Sequence, residues 1–186
     1  MIVFIETGIV KARIMDKLFH WNESMKIVTI GVYGYTAERF FSDLRKAGVD
    51  VFCDIRWRRG VRGSDYTFAN HQRLKNQLES LGIRYLHRRD LAPTPEIRKL
   101  QHTVDASEKI AKRKRDTLSD PFKDAYQEQI LANFDINDFF EQLGPDVNCV
   151  AFCCVERLPE ACHRHLVAKA IREKLEVDIH HLLPDG

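Results

Sequence analysis

Five short apolar runs alternate with amphipathic stretches of ten to fifteen residues from Lys26 onward. The runs are KIVTIGVYG at 26–34, VDVFCDI at 49–55, IRYLH at 83–87, VNCVAFCCV at 147–155 and VDIHHL at 177–182. Strands that are apolar on both faces are typical of parallel sheets, and helices of this length connect such strands as right-handed crossovers. The pattern predicts an α/β fold with a mainly parallel open sheet of about five strands, Rossmann-like, with helices on both faces.

The chain of 186 residues is divided by this pattern into an extension and one domain. Residues 1–25 precede the first clear strand and are predicted to be an N-terminal extension. Residues 26–186 are predicted to form a single α/β domain. Its polar segment at about 92–133 carries a KRKR run at 112–115 and is predicted to be a helical insertion outside the main sheet.

The cysteine content and the hydropathy of the chain indicate the cellular compartment in which we expect the protein. Five cysteines, three of them within one apolar run, do not suggest a disulfide framework. Reduced thiols fit a cytoplasmic protein. The apolar start is interrupted at Glu6, and no stretch approaches 18 apolar residues, so we expect neither a signal peptide nor a membrane partner. The net charge of +2 does not by itself indicate nucleic acid, and the oligomeric state is left open.

The segment CVERLPEACHRH at 154–165 holds the densest group of reactive side chains. Glu156 follows a buried strand, and Cys162, His163 and Arg164 fall in the first turn of the next helix. Free backbone N–H groups there attract anions and lower the pKa of a thiol. Arg164 is suited to bidentate contact with a phosphate or carboxylate. The alternative is a buried cysteine that only packs the helix, with Arg164 bridging to Glu156.

The segment DIRWRRGVR at 54–62 places arginines around Trp57 just after a strand. Arginine beside an aromatic ring suits phosphates and stacked bases. Asp54 and Arg56 lie where the crevice of a parallel sheet opens, beyond the carboxyl ends of the strands. His87 ends the third strand and is a candidate acid–base group.

The spacing of cysteines and histidines in the sequence does not indicate a bound cofactor or metal. There is no CxxC pair and no HxxxH pair on a helix, and Cys153 and Cys154 point to opposite sheet faces because they are adjacent on a strand. We therefore predict no cofactor, and a metal ion is only a minor alternative.

TIG at 29–31, DIR at 54–56, GIRYLH at 82–87 and CVERLPEACHR at 154–164 together resemble the motifs of the domain-of-unknown-function family 488, DUF488. The resemblance covers about residues 26–182 and implies an α/β fold without a particular reaction. By position it implies a role for the motif residues Asp54, Arg56, Tyr85, His87, Cys154, Glu156, Cys162, His163 and Arg164. The chain departs from the family pattern at Val32–Gly34, where the family commonly has His-Ser-Asn.

Three functional hypotheses follow. The first is an enzyme or binding domain for a phosphate-bearing small molecule, a nucleotide or a nucleic acid. The second is a thiol-based transferase or redox protein that uses Cys162, and the third is a non-catalytic nucleic-acid module. The residues assigned to catalysis are Asp54, Glu156, Cys162, His163 and His87. The residues assigned to substrate binding are Arg56, Tyr85, Arg164, Trp57 and Arg62.

Overall fold

The computed structural model describes residues 25–111 and 114–184, and its centre is one five-stranded, fully parallel sheet. The strands are β1 (Lys26–Gly31), β2 (Val51–Asp54), β3 (Arg84–His87), β4 (Cys149–Cys154) and β5 (Asp178–Leu182). Their order across the sheet is β3-β2-β4-β1-β5. The predicted α/β class and parallel sheet are confirmed, and β4, the most apolar of the predicted strands, lies at the centre.

Six α-helices connect and cover the strands in the described part of the chain. They are α1 (Ala37–Lys46), α2 (His71–Ser80), α3 (Pro95–Ser107), α4 (Asp120–Gln129), α5 (Ile136–Leu143) and α6 (His163–Leu175). Side chains that accept backbone N–H groups start several of these helices: the Thr36 hydroxyl accepts from the Arg39 N–H at 3.3 Å at the start of α1. Short 3₁₀ turns lie at Ser64–Ala69, Arg89–Leu91 and Leu131–Asn133.

Two apolar cores lie on the two faces of the sheet, because successive strand residues point to opposite sides. Phe152 of β4 packs into a core that α3 to α6 cover. Its neighbour Cys153 packs into the other core, against α1 and α2. The sheet is therefore covered by helices on both faces.

The segment at 92–133, which we expected to lie outside the main sheet, contributes to one of these cores. Ile97 of α3 and Phe122 and Tyr126 of α4 are buried there. The Tyr126 hydroxyl donates to the Leu91 carbonyl at 2.6 Å, and this contact holds α4 against the 3₁₀ turn that follows β3. The insertion is thus fixed at one end of the sheet and can form part of a site there.

Some predictions concern residues that the structure does not describe. The predicted extension at 1–25 lies outside the described residues apart from Met25, and so do Lys112 and Arg113 of the KRKR run. All five cysteines are buried and free. Among the described residues, no helix is both long and apolar enough to span a membrane.

Candidate functional site

A cavity of about 360 Å³ opens at the carboxyl ends of β2 and β4. Its walls come from four parts of the chain: the segment after β1, which contributes Tyr33, the segment after β2, the loop from β4 into α6, and the helical insertion. The residues of these walls used below are Arg56, Trp57, Arg58, Arg62, Arg98, Gln101, His102, Arg115, Cys154, Glu156, Cys162 and His163. The cavity lies where ligands bind in open parallel sheets.

Asp54 and Arg56 form a buried ion pair at the end of β2. Asp54 is 0% and Arg56 3% exposed. Arg56 donates from Nε to Oδ1 at 2.8 Å and from Nη2 to Oδ2 at 2.7 Å. Its Nη1 donates to the Ala69 carbonyl at 2.9 Å. Although burial alone would lower the pKa of Arg56, the Asp54 carboxylate raises it, so the guanidinium stays charged.

Tyr85 and His87 of β3 support this pair from the neighbouring strand. The Tyr85 hydroxyl donates to Asp54 Oδ2 at 2.8 Å. Burial and the Asp54 charge raise the pKa of Tyr85, so the hydroxyl remains a donor. His87 Nε2 lies 3.0 Å from the Arg56 carbonyl oxygen. Asp54, Tyr85 and His87 do not line the cavity, and their predicted roles in catalysis or binding stay predictions.

The two motif segments meet at His163, the first residue of α6. Its Nε2 lies 3.1 Å from the Ile55 carbonyl oxygen, which brings the segment after β2 against the start of the helix. Its Nδ1 lies 3.7 Å from the sulfur of Cys154 and 3.8 Å from the sulfur of Cys162. The ligand-capable atoms of these three buried residues all lie within 4.8 Å of one another. They form the Cys–Cys–His cluster of the cavity.

Cys162 is the N-cap residue of α6, one position before the first turn in which the sequence analysis placed it. Burial raises the pKa of its thiol, but hydrogen bonds with Cys154 and His163 and the nearby charge of Arg164 outweigh burial and lower it well below the usual value. The pKa of Cys154 is raised, because its own hydrogen bond with Cys162 and its burial both favour the neutral thiol. The pKa values of the two thiols are therefore shifted in opposite directions.

Arg164 lies outside the cavity lining and is 0% exposed. Its Nη1 donates to the Glu156 carbonyl at 2.6 Å and its Nη2 to the Arg157 carbonyl at 2.8 Å. These contacts hold the loop between β4 and α6 against the helix. The geometry supports a positioning role, and direct contact of Arg164 with a bound anion stays a prediction.

Glu156 faces the cavity from the same loop, with its side chain 9% exposed. Its Oε1 lies 3.9 Å from Arg115 Nη2. Arg115 also donates to Asp105 Oδ2 at 2.8 Å, and Gln101 donates to the other Asp105 oxygen at 2.8 Å. This chain of contacts joins the insertion to the loop after β4.

Trp57 lines the cavity and is flanked by Arg89, from the turn after β3, and by Arg98 of the insertion. The Arg89 guanidinium lies 4.2 Å from the centre of its ring, and that of Arg98 lies 5.6 Å away. Arg58 and Arg62 are exposed at the rim of the cavity. Trp57 and Arg62, both assigned to substrate binding from the sequence, therefore line the cavity.

Sequence reasoning missed the contribution of the insertion. Arg98, Gln101 and His102 line the cavity from one face of α3. Their i, i+3, i+4 spacing was the available signal, because residues so spaced share a helix face. Arg115 was considered only as part of a basic run. The sequence alone did not show that this segment closes the cavity.

Comparison with known proteins supports the motif resemblance. The family model described as Domain of unknown function DUF488 matches residues 36–171. The chain belongs to this family. Neither the curated proteins nor the solved structures gave a match. The DUF488 match includes every residue that lines the cavity except Tyr33, whereas β1 and β5 lie outside it.

Proposed function

We propose that this DUF488 protein is an enzyme that acts on a phosphate-bearing substrate, a nucleotide or a nucleic-acid strand, bound in the cavity. The observation that carries the proposal is the charge of the lining. Among the residues that the structure describes, five arginines line the cavity, and Glu156 is the one carboxylate in the lining. Asp54 and Asp105 offset Arg56 and Arg115 from behind the wall, so the net charge remains positive. A positive, concave, partly desolvated site attracts anions.

The arginines differ in how they are engaged. Arg56 and Arg115 are held by aspartates and shape the wall. Arg58 and Arg62 are exposed at the rim, and Arg98 extends from α3 beside Trp57. The planar guanidinium matches phosphate oxygens in pairs. We assign phosphate contact to Arg58, Arg62 and Arg98.

Trp57 supports a nucleotide or nucleic acid over a simple phosphate ester. Its indole is half-buried and lines the cavity. Aromatic rings next to arginines serve as platforms for stacked bases in proteins that bind single strands. The Arg89 and Arg98 contacts hold this ring at the wall.

Glu156 is the group best placed for proton transfer. Its carboxylate lies in the cavity, close to the Cys–Cys–His cluster, and Arg115 approaches it from the insertion. A carboxylate in such a site can accept a proton from a water or a substrate hydroxyl. We assign Glu156 as general base.

A binding screen tests the proposal. Nucleotides, inorganic phosphate and short single strands of DNA and RNA are titrated calorimetrically at low salt. We expect at least one nucleotide or strand to bind, and Arg62→Ala to weaken it about tenfold, or about 1.4 kcal/mol. Arg62→Ala should also reduce the slope of affinity against salt by about one. Arg73→Ala is the control, since Arg73 is exposed on α2 away from the cavity.

Two results would count against this assignment: no probe binds at low salt, or Arg73→Ala weakens binding as much as Arg62→Ala. Glu156→Gln then separates an enzyme from a binding module. With a nucleotide or strand that the protein converts, we expect the variant to bind normally and to lose about 100-fold or more in turnover. Unchanged turnover would leave Glu156 without a catalytic role.

A further inference from the structure

The Cys–Cys–His cluster has the dimensions of a tetrahedral metal site. Zinc bonds are about 2.3 Å to thiolate sulfur and about 2.0–2.1 Å to imidazole nitrogen, which places sulfur and nitrogen ligands roughly 3.6 Å apart around one ion. The observed distances from His163 Nδ1 are 3.7 Å to the Cys154 sulfur and 3.8 Å to the Cys162 sulfur. A zinc ion therefore fits between the three atoms with only small movements.

His163 is oriented as metal-binding histidines are. Ligating imidazoles commonly donate their second N–H to a backbone carbonyl or a carboxylate, which fixes the ring and the tautomer. His163 Nε2 lies 3.1 Å from the Ile55 carbonyl oxygen. A proton on Nε2 leaves the lone pair of Nδ1 directed at the two sulfurs. The Tyr126 ring packs against the imidazole, with centroids 5.6 Å apart, and supports the same orientation.

The charge of the three groups favours a divalent ion. Two thiolates and one neutral imidazole offset the charge of Zn²⁺, and a neutral complex costs less to bury than separate charges. All three residues are buried, at 6% exposure or less. Thiolate and imidazole ligands in this geometry select zinc over magnesium or calcium.

We propose that Cys154, Cys162 and His163 bind one zinc ion whose fourth coordination position faces the cavity. Three protein ligands with an open fourth position are typical of catalytic zinc, with water in the remaining place. Each ligand lines the cavity, and so does Glu156. On binding, Zn²⁺ replaces the thiol protons, which pass to solvent, so no oxidant or reductant is required.

This proposal goes beyond the proposed function and does not rest on it, because metal binding is measured without substrate. The full 186-residue chain is purified without chelators, kept reduced with a phosphine, and its zinc is measured by plasma mass spectrometry. Cobalt titration then reports ligand type by visible spectroscopy. We expect one equivalent of zinc, sub-micromolar affinity, and the intense bands of tetrahedral, thiolate-bound cobalt.

Variants identify the ligands. Cys154→Ala and Cys162→Ala should weaken zinc binding by more than about 100-fold, a larger loss than supporting residues produce. Cys153→Ala is the matched control, because Cys153 is equally buried but faces the opposite core. Circular dichroism checks that each variant is folded. We expect Cys153→Ala to retain one zinc.

X-ray absorption of the zinc-loaded wild-type chain keeps the test decisive if a variant does not fold. It should show two sulfur neighbours at about 2.3 Å and a nitrogen neighbour at about 2.0–2.1 Å. The proposal is overturned if the reduced chain takes up neither zinc nor cobalt, or if a folded Cys162→Ala binds zinc as tightly as the wild type. A coordination shell without sulfur would overturn it as well.

Discussion

At the scale of single residues, the Asp54–Arg56 pair shows how one buried contact shapes the cavity. Arg56 lines the wall, and three of its nitrogens are held by Asp54 and by the Ala69 carbonyl. Removing one partner of a buried pair is costly because the other charge is left without compensation. The main role of the Asp54–Arg56 pair is therefore to fix the position of Arg56 in the cavity wall.

Asp54→Asn tests this role. We expect the free energy of unfolding to fall by about 3–5 kcal/mol, because Arg56 loses its counter-charge while it remains buried. Urea denaturation measures the change. Asp65→Asn is the control, since Asp65 is exposed, and its effect should stay within about 0.5 kcal/mol. A loss below about 1 kcal/mol for Asp54→Asn would show that the pair is not needed for stability.

Arg164 shows the limit of reading single residues from the sequence. The sequence allowed two interpretations of Arg164, contact with a phosphate or carboxylate, or a bridge to Glu156. The structure shows it donating to the backbone carbonyls of Glu156 and Arg157, and contact with an anion stays a prediction. The path of the loop at 155–161 decides which acceptors lie within reach, and no sequence pattern reports that path.

At the scale of elements, β1 and β4 set the start of the loop that carries Glu156. Gly31 pairs with Cys154 at the end of the parallel register. A Cβ at Gly31 would overlap the Glu156 carbonyl oxygen and lie 3.2 Å from Arg164 Nη1. Glycine at the end of β1 therefore lets the loop after β4 pass close to the neighbouring strand.

Gly31→Ala should disturb this contact. We expect a loss of about 1–3 kcal/mol in the free energy of unfolding, because the added methyl displaces backbone that has no room to move. Chemical denaturation measures it. Gly60→Ala is the comparison: its nearest neighbour would be 3.9 Å away, so we expect no loss. Equal effects of the two substitutions would contradict the close approach.

The edge strand β5 meets α6 through His181. Burial lowers the pKa of His181, and the charge of His165 adds to this effect. The other charged or titratable groups that act on it are Glu160, Arg164 and His180. In the unfolded chain the pKa of histidine is about 6.5. Above that pH, His181 is neutral in both the folded and the unfolded state, and its contribution to stability is complete. As the pH falls below it, the unfolded chain binds a proton that the folded chain excludes, and stability decreases.

His181→Asn should therefore make stability less dependent on pH in the acidic range. The unfolding free energy of the wild type and the variant is compared from neutral pH down through the usual titration range of histidine. Asparagine can still bond to the Thr29 hydroxyl, which lies 2.7 Å from His181 Nδ1. His102→Asn is the control because His102 is exposed. Identical pH profiles for the wild type and His181→Asn would contradict the assignment.

At the scale of the whole molecule, sequence patterns predicted the elements better than their assembly. Apolar runs marked the strands because β4 and its neighbours are buried on both faces. The order β3-β2-β4-β1-β5 was not predicted, since similar runs fit several orders. The sequence left a metal ion at the Cys–Cys–His cluster as a minor alternative, because Cys154 lies at a strand end and Cys162 lies eight positions further on, at a helix start. Short-range ligand spacing rules do not detect such a site.

The insertion also acquires its role only in the assembled molecule. Its own sequence is polar and gave no reason to place it near the motifs. Packing of Ile97 and Phe122 into the core brings Arg98 and Arg115 to the cavity. The positive charge of the site therefore comes from two segments that are distant in the sequence, the segment after β2 and the insertion.

The most direct measurement is a crystal structure of the protein with the best nucleotide or strand from the screen. We expect a phosphate of that ligand to lie in the cavity, within hydrogen-bond distance of at least two of Arg58, Arg62 and Arg98. Density for the ligand only elsewhere on the protein, with the cavity holding solvent, would contradict the assignment of this cavity as the functional site.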